Sequence, residues 1–253
     1  MSTPVSSDVL AELGKYDSPT ICNVIELFGY QPRNVGWVHK QVAAVYPELP
    51  PMVGFAVTAT FRSATAAEPG EKAMGLADQL EAFESVPGPR VVVIQDLDDP
   101  PCGAVYGEVM VSTYRGFGAV GLVTSGYARD VLQIKPLEFP CFASGYGVSH
   151  SYCRVLSVQK TVDVGGLTIR PGMLLHGDAN GVTAIPLEIA AEVAGACAEF
   201  VAAEDVVIAA ARQSKPTLAA YREASAEFNR RRTALTERLQ KRAAPSNDGE
   251  AMA

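Results

Sequence analysis

The sequence contains no run of about eighteen apolar residues, the length that a membrane-spanning helix needs. Its first residues, MSTPVSSDVLAELGKYDS, lack the charged-then-apolar pattern of a secretory signal. Lys and Arg form no cluster before the C-terminal segment and the net charge is −7, so nucleic acid is not expected as a main partner. These absences predict a cytoplasmic protein without membrane contact.

Cysteine spacings typical of metal sites are also missing. The 5 cysteines are scattered, odd in number and without a Cys-x-x-Cys pair, so neither a disulfide framework nor a zinc site is expected. Nothing in the sequence places a histidine beside Cys102, so a nucleophilic cysteine is not indicated. The chain also has no recognisable glycine-rich loop after a first strand with an acidic ribose ligand, which argues against methyl transfer.

What is present is enough apolar sequence, 48% of 253 residues, for one substantial core. We predict a single domain over residues 1–215, a C-terminal helical appendage over 216–242 and a disordered tail over 243–253. Strands and helices alternate in the first half and strands dominate the second half. This order predicts an α/β fold with two layers of sheet and one layer of helices.

The stretch from residue 103 to 130, GAVYGEVMVSTYRGFGAVGLVTSGYARD, has the clearest local organisation. Residues 108–115 are predicted to form a helix that ends at two glycines, and residues 119–124 an apolar strand. Arg129 and Asp130 then fall in the loop beyond the carboxyl end of that strand. Ligands of open α/β sheets collect at such ends, so this loop is the candidate site.

The residue types in this stretch suit a 2-oxo acid. A helix that starts near residue 107 directs unpaired N–H groups outward, which makes an anion site. The amides concerned belong to Gly107, Glu108, Val109 and Met110. Arg129 adds a planar fork for a carboxylate, and Asp130 offers oxygen ligands to Mg²⁺ or Mn²⁺. The alternative is that Arg129 and Asp130 only pair with each other or cap the next helix.

Glu108, twenty residues, then Arg129-Asp130 form a spaced acidic/Arg/Asp element. The chain in this respect resembles the class II pyruvate aldolases typified by 4-hydroxy-4-methyl-2-oxoglutarate aldolase, a family that includes the regulator of ribonuclease E activity. Three further segments between residues 15 and 215 carry the resemblance: PCFASG at 140–145, IRPG at 169–172 and GDANGV at 177–182. Ser125 and Met173 depart from the family pattern, which often has aspartate at both positions.

The resemblance implies a swivelling three-layer β/β/α sandwich with C-terminal helices, assembled as homotrimers or homohexamers with sites at subunit contacts. It implies a lyase that releases pyruvate from a 4-hydroxy-2-oxo acid, or decarboxylates oxaloacetate, through a metal-stabilised enolate. Asp130 would bind the cation, Glu108 would hold water on it, and Arg129 would bind substrate. A glutamate of a C-terminal helix reaches the neighbouring site in these aldolases; Glu204 is nearest to that spacing, with Glu199 and Asp205 as competitors.

The alternative function is a non-catalytic, ribonuclease-regulator-like trimer that binds protein. Family members of that kind tend to lose the acidic metal positions, whereas Glu108 and Asp130 are both present here. Other acidic groups have structural explanations: Asp96, Asp98 and Asp99 suggest a solvated turn rather than a metal site, and His176 and Asp178 suggest structural roles. The apolar helix predicted at 187–213 suggests burial in the subunit or against a neighbour.

Overall fold

A computed structural model describes residues 4–39 and 42–243 of the chain. The helices are α1 (Ser7–Leu13), α2 (Ser18–Leu27), α3 (Leu76–Phe83), α4 (Glu108–Gly116), α5 (Val131–Ile134), α6 (Ala190–Ala211) and α7 (Leu218–Ala243). No helix within the described ranges has the length and apolarity that a bilayer crossing requires. The predicted disordered tail lies outside these ranges apart from Ala243, which ends α7.

The strands are β1 (Ala43–Ala44), β2 (Met52–Arg62), β3 (Arg90–Asp96), β4 (Ala104–Tyr106), β5 (Ala119–Thr124), β6 (Tyr127–Ala128), β7 (Cys141–Ala143), β8 (Gly145–Tyr146), β9 (Arg154–Val158), β10 (Val162–Val164), β11 (Leu167–Ile169), β12 (Leu174–Asp178) and β13 (Gly181–Ile185). The main sheet has the order β1-β7-β5-β3-β2-β12-β13, and β9 also pairs with β2. The neighbours β2, β3, β5 and β7 run parallel. Residues 91–94 of β3 are buried, as expected for a continuous apolar strand covered on both faces.

A second, small sheet has the order β4-β6-β8, with all three strands parallel. It places the chain segments that follow β4 and β6 side by side, because parallel strands end at the same edge. With α1, α2, α6 and the main sheet it forms the β/β/α sandwich with C-terminal helices that the resemblance implies. This fold prediction is therefore confirmed.

The apolar character of α6 is explained within the chain. The helix packs against α1, α2 and α7, which bury seven of its residues: Ala190, Val193, Ala194, Ala196, Cys197, Phe200 and Ala203. The α-helix is also shorter than the predicted 187–213, because residues 187–189 form a 3₁₀ turn before it and it ends at Ala211. The composition of α6 therefore no longer argues by itself for a partner subunit.

The apolar spacing within residues 71–84 predicts an amphipathic helix there. The observed helix covers only residues 76–83, so this prediction is wrong for its first five residues. Instead of helical hydrogen bonds, Met74 donates its N–H to Val155 O at 2.9 Å and joins the edge of β9 as a bridge. Gly75 then starts the helix, and its N–H donates to Asp78 Oδ2 at 2.5 Å. Tertiary pairing with β9 thus overrides the local helical pattern.

The interpretation of the acids after β3 as a solvated turn is wrong for Asp96 and Asp98. Asp96 is 7% exposed, and its Oδ2 has no hydrogen-bond partner in the described part of the chain. Asp98 accepts from the N–H groups of Ser63 at 2.6 Å and Ala64 at 2.8 Å, so it holds the loop after β2. Burial raises the pKa of Asp96 to about 6, against the lowering effects of the Asp98 N–H and Arg62.

This environment makes Asp96 a pH-dependent cost to stability. Because the folded-state pKa is raised, the cost to stability is absent below pH ~4, where Asp96 is protonated in both the folded and the unfolded chain. The cost grows as the pH rises from ~4, and it is complete above the folded pKa of about 6. The free energy of unfolding of Asp96→Asn, relative to that of the parent, should therefore rise by up to ~3 kcal/mol when the pH is raised from 4 to 7.5. Urea denaturation at both pH values, with exposed Asp99→Asn as control, measures this. A stability difference independent of pH would contradict it.

Candidate active site

The candidate site forms where β4 and β6 end next to each other. The strands pair in parallel with Tyr106 opposite Ala128, and Arg129 donates its N–H to Tyr106 O at 3.2 Å. Gly107 and the start of α4 consequently lie beside Arg129 and Asp130. Two segments separated by twenty residues in the sequence meet here, as the position of Arg129 and Asp130 after a strand suggested.

Gly107 allows this close approach. A Cβ atom at position 107 would collide with Asp130 Oδ2 and would lie 3.0 Å from Arg129 Nε. The backbone of Gly107 is extended, with φ −147°, a conformation that any residue adopts. The glycine is therefore required by its contacts with the two charged side chains.

Asp130 has a left-handed backbone conformation, with φ 56° and ψ 36°. Its Oδ2 accepts from the N–H of Glu108 at 3.0 Å, and Arg129 Nε lies 3.8 Å from the same oxygen. The alternative that Asp130 caps the next helix is not observed, because its side chain makes no capping bond to α5. It instead caps α4, and its side chain remains 39% exposed.

The capping by Asp130 reduces the number of free amides in the predicted anion site. Of the amides expected to bind a carboxylate, that of Glu108 already donates to Asp130. The N–H groups of Val109 and Met110 donate to no acceptor in the described segments, because the first helical bond runs from Val111 to Gly107 O at 3.1 Å. Of the four predicted amides only that of Glu108 is engaged within the described residues, so those of Gly107, Val109 and Met110 are available to an anion together with Arg129.

These groups line one cavity of about 250 Å³. Gly107, Val109, Met110, Arg129 and Asp130 all contribute to its wall, whereas Glu108 does not. The structure therefore brings together five of the predicted site residues, while Glu108 contributes only its backbone N–H to Asp130.

Sequence reasoning missed Gln79 and Arg154, which also line the cavity. Gln79 is 4% exposed, and its Oε1 accepts from Tyr114 OH at 2.6 Å. Arg154 pairs with Glu71 at 2.7 Å, and the Arg154 side chain is 7% exposed. No local pattern marks either residue, since both reach the site through contacts between distant segments of the chain.

The donor set suits a hard cation rather than zinc. The described residues contain no cluster of three or more His, Cys, Asp or Glu side chains that could hold a metal. Asp130 offers an exposed carboxylate whose Oδ1 makes no hydrogen bond within the described ranges. Magnesium is commonly bound by one or two carboxylates with several waters, so Asp130 fits Mg²⁺ or Mn²⁺.

Glu204 lies elsewhere in the same chain. It lines a separate cavity of about 500 Å³ between α2, α6 and α7, together with Asn23 and without Asp130. Burial raises the pKa of Glu204, and the charges of Asp17 and Asp205 act in the same direction. Its competitor Glu199 is engaged in an ion pair with Arg238. A role for Glu204 across a subunit contact stays a prediction.

His176 and Asp178 have structural contacts. His176 is fully buried, with Nδ1 2.9 Å from Ser18 Oγ and Nε2 3.2 Å from Leu13 O. Burial lowers the pKa of His176, which favours the neutral ring. Asp178 accepts from the N–H of Ser18 at 2.8 Å, so both side chains attach β12 to the N-terminal helices.

Two curated proteins are similar to part of the chain. One, from Halalkalibacterium halodurans, is named "Putative 4-hydroxy-4-methyl-2-oxoglutarate aldolase"; it is 33% identical over 105 residues, which cover 41% of this chain and 49% of that protein. Protein DlpA of Legionella pneumophila is 31% identical over 106 residues, 41% of this chain and 17% of that protein. The matched part thus spans about half of the first relative and less of the second.

Solved structures share the fold. An uncharacterized protein from Pseudomonas syringae has a TM-score of 0.68 at 23% identity, covering 88% of this chain and 96% of that one. A second solved structure is RraAS2 of Streptomyces coelicolor, described as an unusual member of the RNase ES inhibitor RraA protein family. It has a TM-score of 0.64 at 20% identity, and the match covers 79% of this chain and 96% of that one. Residues 19–184 match the sequence profile of the RraA-like family, described as Aldolase/RraA. The chain belongs to this family.

Proposed function

We propose that the protein is a divalent-metal-dependent lyase that cleaves a 4-hydroxy-2-oxo acid to release pyruvate, decarboxylates oxaloacetate, or does both. The observation that carries the proposal is the meeting of Arg129, Asp130 and two unpaired amides of α4 in one cavity. A 2-oxo acid presents a carboxylate and a neighbouring keto oxygen, and these groups need an anion site beside a Lewis acid.

Arg129 and the amides of Val109 and Met110 bind the carboxylate in this proposal. The 3.8 Å separation between Arg129 Nε and Asp130 Oδ2 is beyond normal hydrogen-bond range, so the guanidinium donors remain available to a ligand. A planar guanidinium can donate two parallel hydrogen bonds to a carboxylate. This geometry fixes the orientation of the keto group relative to Asp130.

Asp130 is the proposed ligand of the cation. When bound, Mg²⁺ or Mn²⁺ supplies a Lewis acid that stabilises negative charge at the keto oxygen. The N–H of Glu108 holds Asp130 Oδ2 and leaves Oδ1 for the ion. The carboxylate of Glu108 is proposed to orient water near the ion from outside the cavity wall.

The reaction is tested by measuring pyruvate release from 4-hydroxy-2-oxo acids and carbon dioxide release from oxaloacetate, each with Mg²⁺. Activity on either substrate class above the metal-only rate is expected. A well-folded protein that releases neither product would contradict the lyase and favour the protein-binding alternative.

We further propose a homotrimer or homohexamer in which Glu204 completes the neighbouring site. Mixing inactive Asp130→Ala subunits with inactive Glu204→Ala subunits should then recover part of the activity, because some hybrid sites contain both acids. The activity of the mixture relative to each unmixed variant is the measurement. A Glu204→Ala variant as active as the parent, or a monomer with full turnover, would refute this arrangement.

A further inference from the structure

The cavity wall beyond the proposed carboxylate site is mainly apolar. Met74, Leu76, Val109, Met110 and Val155 contribute side chains to it. Met74 and Leu76 reach this position because the segment before α3 bridges to β9 through Met74 and Val155. The part of a substrate that extends past Arg129 and Asp130 therefore meets hydrocarbon.

Arg154 is the other arginine of the wall, but its charge is already matched. Its Nε donates to Glu71 Oε1 at 2.7 Å and its Nη2 lies 3.4 Å from Glu71 Oε2. Its Nη1 donates to the carbonyl oxygens of Thr65 and, at 3.3 Å, Tyr152. The Arg154 side chain is 7% exposed, and the pair lowers the pKa of Glu71. These contacts engage four of the five guanidinium N–H donors, so a second substrate carboxylate could not form a bidentate pair with Arg154 without displacing an existing acceptor.

His150 is the remaining basic side chain of the wall. Its Nδ1 lies 2.8 Å from Ser151 O, so Nδ1 carries a proton and donates to this carbonyl. Nδ1 is thereby engaged, and only Nε2 is left for a ligand. Substitution of His150 can therefore separate its effect on substrate preference from the effect of the apolar side chains.

Resting on the proposed lyase function, we propose that the preferred substrate is a 4-hydroxy-2-oxo acid whose carbon 4 carries an apolar alkyl or aryl group instead of a second carboxylate. Cleavage breaks the C3–C4 bond, C4 loses its hydroxyl proton, and C3 gains a proton. The products are pyruvate and an apolar aldehyde or ketone. A carboxylate in the same place would lose hydration without meeting an arginine whose charge is unmatched.

The test compares kcat/KM for pyruvate release from two pairs of compounds with Mg²⁺ present. 4-Hydroxy-2-oxoheptanoate and 4-hydroxy-2-oxo-4-phenylbutanoate carry apolar groups, whereas 4-hydroxy-2-oxoglutarate and its 4-methyl derivative carry a second carboxylate. We expect kcat/KM to be at least about tenfold higher for the apolar compounds, the order of discrimination that apolar pockets reach. Equal or better cleavage of the dicarboxylates overturns this inference and leaves the lyase intact. No pyruvate from any of the four compounds also overturns this inference, and it overturns the lyase as well only if oxaloacetate releases no carbon dioxide.

Substitutions in the cavity wall test whether its apolar side chains cause the preference for apolar substrates. Leu76→Arg places a cation there and should shift the ratio toward the dicarboxylates by about tenfold; Met74→Arg serves as a second variant if the first misfolds. Val148→Arg is the control, because Val148 is 98% exposed and does not line the cavity. His150→Ala should leave the ratio within about threefold, a change below ~1 kcal/mol. Unchanged ratios in both arginine variants, or loss of dicarboxylate cleavage in His150→Ala, would overturn the inference.

Discussion

Asp130→Asn is expected to lower kcat/KM for pyruvate release by about two to three orders of magnitude, because a bound cation contributes several kcal/mol. Asparagine tolerates the left-handed backbone of this position, φ 56°, nearly as well as aspartate. Its side-chain oxygen can still accept from the N–H of Glu108. The substitution therefore removes the charge that holds the cation while it preserves the local structure.

Glu138→Gln is the matched control for this variant. Glu138 also has a left-handed backbone, φ 48°, and an exposed carboxylate, but it does not line the cavity. It should retain parental activity and parental metal dependence. If Asp130→Asn keeps more than about a tenth of the parental kcat/KM, a loss below ~1.4 kcal/mol, Asp130 does not hold a catalytic cation.

Arg129 gives the second large effect. Arg129→Ala should lower kcat/KM by about a hundredfold, because loss of a hydrogen bond to a charged partner costs ~1.5–3 kcal/mol and orientation is lost as well. Arg129→Lys keeps the charge without the planar fork, so a loss of at least about tenfold is expected. Steady-state kinetics with a saturable 2-oxo acid separates the effects on kcat and KM.

The matched control for Arg129 is Arg115→Lys. Arg115 is exposed, lies in the last turn of α4 and does not line the cavity, so its replacement should have no effect on turnover. Arg129 variants within about threefold of the parent would differ by less than ~1 kcal/mol in transition-state stabilisation. That result would remove Arg129 from the carboxylate site.

Local sequence predicts the strands and the meeting of the two site segments well. The apolar run of residues 91–94 has the composition of a parallel strand buried on both faces, and it forms the centre of the main sheet. Arg129 and Asp130 follow a turn after another apolar strand, which places them at a sheet edge with the start of α4. Both inferences depend on chain order and composition, which a single sequence contains.

Contacts between distant residues are not predictable in the same way. The pairing of Arg154 with Glu71 joins residues 83 positions apart, and it shapes the wall of the cavity. The capping of α4 by Asp130 depends on a left-handed backbone at a non-glycine residue, and no local sequence pattern predicts this conformation. The burial of Asp96 likewise follows from how the turn at Gly126 packs over the end of β3.

The proposed metal-dependent cleavage is tested most directly by titrating Mg²⁺ or Mn²⁺ into the EDTA-treated, desalted protein while pyruvate release is recorded. Turnover should be abolished by EDTA, should return saturably with the cation, and should stay low for Asp130→Asn at concentrations that saturate the parent. Full activity of the parent in excess EDTA would contradict the central claim.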